Sequence, residues 1–62
     1  MTIIRADVYH RTANGDIFVG EVHLERLPRR GQPFTFTRRW RVISVWIGKG
    51  YKATILVKPM ED

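Results

Sequence analysis

Cysteine is absent from all 62 residues, and a domain this short buries only about 60 % of the surface its unfolded chain exposes. A disulfide staple is therefore excluded, and a zinc site loses its commonest ligand. Self-association is the remaining way to reinforce so small a core, so a homo-oligomer is expected. The same absence suits a cytoplasmic setting, where thiols stay reduced. No apolar run approaches the roughly 20 residues a membrane span needs, and Thr2 opens an alternating pattern with no basic and apolar leader before it. A soluble, untargeted protein is expected. Apolar stripes at helical spacing, internal repeats and low-complexity segments are missing as well.

Negative charge is missing from more than half of the chain. Residues 1–25 carry Arg5 and Arg11 against Asp7, Asp16, Glu21 and Glu25, a net of −2. Residues 26–60 carry six arginines, three lysines and no carboxylate, a net of +9, and Glu61 and Asp62 bring the total to +5. Charge so divided informs about partners rather than fold. The arginines gather between Arg26 and Arg41, around Phe34, Phe36 and Trp40.

What is present reads as β-structure throughout. From Thr2 to Arg11, Ile4, Ala6 and Val8 share one face while Arg5, Asp7 and Tyr9 share the other. Asn14-Gly15 then signals a hairpin with a type I′ turn. In the next strand, Ile17 and Val19 have the opposite parity to Val22 and Leu24. A one-residue bulge near Gly20 and Glu21 would turn all four inward, leaving Glu21, His23 and Glu25 outside with Arg5. Residues 27–33 hold Pro28, Gly31 and Pro33 and form a loop that projects Arg29 and Arg30. Phe34 and Phe36 follow as core residues of a short strand, paired with Ile43 and Arg41 across a turn at 37–40. Arg38 and Arg39 are thereby expected at a hairpin tip.

Residues 40–47 divide into Ile43, Val45 and Ile47 against Trp40, Val42, Ser44 and Trp46, and the aliphatic set is expected inside. A three-residue turn, Gly48-Lys49-Gly50, would pair Ile47 with Tyr51, Val45 with Ala53 and Ile43 with Ile55. The outer face then pairs Trp46 with Lys52, Ser44 with Thr54, Val42 with Leu56 and Trp40 with Lys58. A wet sheet face should be polar, so four large apolar groups there call for a covering: the first hairpin, another copy or a partner.

Nucleic acid is the leading partner, since Arg29, Arg30, Arg38, Arg39, Lys52 and Lys58 can meet phosphates while Trp40 and Trp46 stack on unpaired bases. An acidic protein surface is the alternative, met by a regulator or inhibitor that uses the same arginines and tryptophans or an open strand edge, and so is a structural homo-oligomer. Catalysis finds no support. Ser44 has no base beside it, His10 and His23 form no motif with an acid and read as ordinary surface or barrel-end residues, and no phosphate-cradling glycine loop or metal-ligand spacing occurs, so no cofactor is expected.

Leu27-Pro28-x-x-Gly31-x-x-Phe34, then Trp40-Arg41-Val42-x-x-Val45, then a glycine turn and a β-branched last strand resemble the loop and hairpin core of small Src-homology-3-like barrels; short bacterial and phage proteins look similar. The resemblance spans about residues 17–58 and implies fold but no activity. The acidic loop and paired tyrosines of the peptide-binding version are missing, so it implies no proline-rich ligand. The expectation is all-β: one five-stranded antiparallel barrel or strongly bent sheet over 1–62, acting as a non-enzymatic binding module.

Overall fold

The computed structural model describes residues 3–48, 50 and 52–60. Five strands follow one another along the chain: β1 (Ile4–Thr12), β2 (Gly15–Leu24), β3 (Pro33–Phe36), β4 (Arg38–Ile47) and β5 (Lys52–Pro59). They form one curled sheet in the order β2-β1-β5-β4-β3, a half-barrel rather than a closed one. Two antiparallel hairpins, β1–β2 and β4–β5, meet through β1 and β5, and these two run parallel, with Ala6 opposite Ala53 and Val8 opposite Ile55. The all-antiparallel expectation is thus corrected at this one seam. Strand β3 adds to the outer side of β4, β2 stays at the opposite edge, and the chain enters β1 and β5 from the same end.

Position in the sheet explains composition. Strand β5 lies in the middle, and its run Ala53, Ile55, Leu56 and Val57 is buried on both faces, as a central strand allows. Ala6, Val8, Trp40, Val42, Ala53, Ile55 and Val57 form the core on the concave side, with Phe34, Phe36 and Leu27 packed against it. The edges are β2 and β3, and β3 is only four residues long with Pro33 at its start, the position where an edge tolerates proline.

The first hairpin is present, but its turn is corrected. Thr12 pairs with Gly15 across Ala13-Asn14, and only Gly15 has positive φ, at 120°, so no type I′ turn is centred on Asn14-Gly15. Thr12 Oγ1 closes the turn instead, donating to Gly15 O (2.6 Å) and accepting from Asn14 N–H (3.2 Å). The expected bulge is found. Val8 pairs with Gly20 and Tyr9 with Phe18, which leaves Val19 as the extra residue. Val19, Val22 and Leu24 pack against the core, whereas Ile17 stands exposed at the end of its row.

A second bulge decides the other hairpin. Val42 pairs with Val57 and Ser44 with Leu56, so Ile43 is the extra residue and the faces of β4 switch there. Trp40 and Val42 consequently turn inward, Trp40 retaining 4 % of its surface, which corrects their expected outward placement. Val45 still packs on the core, while Ile47 lies exposed. Ile47 pairs with Ala53, Val45 with Ile55 and Trp46 with Thr54, each two residues beyond the expected register, a shift that preserves the face. Of the turn, Lys49 and Tyr51 lie outside the described residues; Gly50 has φ 75° and Gly48 N–H donates to Lys52 O (2.8 Å).

The β3–β4 turn is corrected most. Phe36 pairs with Arg38 and Phe34 with Trp40, so Thr37 alone makes the turn, and Arg38 and Arg39 belong to β4 rather than to a tip. Thr37 takes φ 63°, a left-handed conformation that a β-branched residue reaches only under strain. The Trp40 indole donates to Phe36 O (2.8 Å) and ties the turn to the core. Thr37→Gly is expected to raise stability by about 1 kcal/mol, read as a higher urea midpoint at unchanged m.

Candidate binding face

The convex face follows from strand alternation and the pairings. One row crosses four strands as Phe18–Tyr9–Leu56–Ser44, and the next runs Glu21–Asp7–Thr54–Trp46. Leu56 is 3 % exposed in the middle, whereas Phe18 (55 %) and Trp46 (49 %) stand out into solvent on either side of it. Tyr9 and Phe18 meet edge to face, with ring centroids 5.5 Å apart and planes at 64°. Tyr9, Asp16, Trp46, Thr54 and Leu56 enclose a groove of about 280 Å³. Large apolar side chains therefore occupy a sheet face that water would otherwise claim.

Charge is sorted around this aromatic patch. Beyond Leu56, Arg41 pairs with Lys58, and Arg39 precedes Arg41 on the same outward parity. Arg41, Lys58, Pro59 and Met60 border a depression of about 320 Å³. The arginine loop is pinned beside them: Gly31 N–H donates to Val42 O (2.8 Å), Val42 N–H to Gln32 O (3.0 Å) and Arg41 Nη1 to Gly31 O (2.9 Å). Gln32 Oε1 also accepts from Arg29 N–H (2.8 Å), so the backbone that carries Arg29 and Arg30 is fixed by its own side chain. On the opposite side of the patch the charges neutralise one another: Lys52 Nζ lies 3.3 Å from Asp7 Oδ2 and 3.6 Å from Glu21 Oε2. On the Lys58 side of Tyr9, Arg11 lies 3.7 Å from Asp16.

Glu21 also accepts a hydrogen bond from His23 Nε2–H (3.3 Å). That bond is the largest cause holding its carboxyl below the usual carboxylate range; desolvation opposes it, and the charges of Lys52, His23 and Arg5 add to the lowering. A depressed carboxyl stabilises the fold above its unfolded pKa and loses that contribution as pH falls through the folded one. Glu21 therefore stays ionised beside Lys52 at neutral pH. Among the described residues, no three His, Asp or Glu side chains gather in a way that could hold a metal ion, and no helix is long and apolar enough to cross a membrane.

No family model, curated protein or solved structure matches this chain. Geometry alone carries the functional reading.

The eight residues singled out from sequence separate into groups. Lys58 and Arg39 share the basic end of the convex face, with exposed Arg29 and Arg30 on the loop pinned next to it. Trp46 and Lys52 share that face too, but Lys52 is held by the two carboxylates. Trp40 is buried, and the Arg38 guanidinium lies 5.0 Å from its ring centroid, so both belong to the other side of β4. His10 packs against Trp40 on that side as well, with centroids 5.0 Å apart. Tyr9, Phe18 and Arg41 take their place on the face. Alternation already turned Tyr9 outward, but the parallel β1–β5 seam that sets it beside Leu56 has no local sequence signal. Another depression, about 380 Å³, is lined by Leu24, Leu27, Pro28, Gln32 and Phe34 among others and includes none of the aromatic row.

Proposed function

We propose that the chain is a non-enzymatic module that binds nucleic acid through its convex sheet face. One observation supports this most: exposed rings and a cluster of cations lie side by side on one continuous sheet, while the carboxylates of that face are paired with Lys52 and Arg11. Arg39, Arg41 and Lys58, with Arg29 and Arg30 behind them, supply charge for phosphates. Phe18, Tyr9 and Trp46 supply apolar surface beside that charge.

The test compares Lys58→Gln with Lys52→Gln, which have the same net charge and differ only in where it is lost. Labelled oligonucleotides are titrated at about 50 and about 200 mM salt, and a face that meets three phosphates should lose roughly twentyfold in affinity between them on single strands and roughly fortyfold on duplex. Lys58→Gln should weaken binding clearly more than Lys52→Gln. Equal losses would mean that the protein holds phosphate by net charge alone, and no binding at the lower salt would end the nucleic-acid reading. Binding of an acidic protein through the same face would instead survive the added salt.

A further inference from the structure

The convex face presents the exposed rings of Phe18 and Trp46, and this restricts which form of nucleic acid can use them. We infer, resting on the reading above, that the face selects unpaired strands, with the bases laid across β1, β5 and β4 and the phosphates along the Arg41–Lys58 side. In a duplex each base face is already covered by its neighbours, and an approaching sheet meets sugar and phosphate first. Phe18 and Trp46 would then gain nothing from contact. An unpaired strand offers its base faces, and stacking on aromatic side chains is the main sequence-tolerant contribution to single-strand binding. The Tyr9–Phe18 contact leaves room for this, because an edge-to-face pair covers one ring face only.

Charge sets the direction in which such a strand lies. The row Phe18–Tyr9–Leu56–Ser44 has the row of Glu21, Asp7, Thr54 and Trp46 next to it on one side and Lys58 on the other, about 7 Å in each direction along the strands. On the first side the carboxylates are paired with Lys52, so phosphates are drawn to the second and the bases turn inward over Tyr9 and Leu56 toward Trp46. From β2 to β4 the row spans three strand spacings, about 14 Å, room for a few bases laid face-on. The footprint is therefore short, and longer oligonucleotides should bind several copies of the chain.

The experiment titrates a single-stranded DNA, the RNA of the same sequence and the corresponding duplex DNA at low salt. It is repeated with Trp46→Ala and Phe18→Ala, whose folding is checked by urea denaturation. The expected result is single-strand affinity at least tenfold above that of the duplex, with each variant losing roughly tenfold on the single strands and little on the duplex. Duplex binding equal to or tighter than single-strand binding, or single-strand binding indifferent to both variants, would overturn the selectivity while leaving nucleic-acid binding intact. Failure of all three nucleic acids to bind would overturn both. Sedimentation of the free protein gives the remaining decision: a dimer that Trp46→Ala or Phe18→Ala dissolves would show that a second copy covers the rings, and would overturn the inference.

Discussion

Trp40→Ala is expected to unfold most of the protein at room temperature, whereas Trp46→Ala should leave the fold nearly as stable as before. Trp40 is buried on the concave side, and removing a buried Trp side chain costs about 3–5 kcal/mol. Domains as a class retain only about 5–15 kcal/mol in total, and one this small belongs near the lower end. Further loss comes from the Phe36 carbonyl, which gives up the indole hydrogen bond at the turn where Thr37 is already strained. Trp40→Phe separates the two contributions, since it keeps an aromatic ring but leaves that part-buried carbonyl without its donor, at about 1–3 kcal/mol. Trp46, half exposed on the convex face, should cost under about 1 kcal/mol. Urea titrations followed by far-ultraviolet circular dichroism would read all three. A stable Trp40→Ala variant would mean that the face switch at Ile43 is wrong and that Trp40 points outward after all.

That switch also shows how far the sequence could be read. Both parities of residues 40–47 are apolar, so hydrophobic alternation could not say which tryptophan goes inside, and no glycine marks the bulge at Ile43. In β2 the parity change was visible because charged and apolar residues alternate there, and Gly20 marked the irregularity within one residue. The turn at Thr37 was hidden for a related reason. Local turn chemistry favours glycine or asparagine where φ is positive, and a threonine held there by the indole–carbonyl bond carries no such sign. The parallel seam between β1 and β5 depends on residues more than 40 positions apart and is set by how the two hairpins dock. The strand count, the loop at 27–32 and the inward Phe34 and Phe36 needed only period two, proline and glycine. The convex face combined both kinds of information: Trp46 and Lys58 were legible on it, while the placing of Tyr9 and Phe18 beside Leu56 required the seam.

Gly20→Val is expected to destabilise the protein by about 2–3 kcal/mol, even though valine normally favours a strand over glycine by up to about 1 kcal/mol. Gly20 has no positive φ among the described glycines that do, so its backbone would accept a side chain. The obstacle is across the sheet. A Cβ at this position would lie 2.8 Å from Phe36 Cζ and 2.9 Å from Cε2, because the curl of the half-barrel brings the ring of edge strand β3 onto the backbone of edge strand β2. These two edges are not paired with each other, and the ring resting on the glycine is what fills the space between them. Shortening the ring should relieve the clash: in a Phe36→Leu background, Gly20→Val should cost less than about 1 kcal/mol, giving a coupling near 2 kcal/mol in a double-mutant cycle. Two residues on unpaired edge strands have no reason to couple unless the sheet curls far enough to bring them together. Additive effects, or stabilisation by Gly20→Val in both backgrounds, would show that the concave side stays open and that Phe36 packs elsewhere.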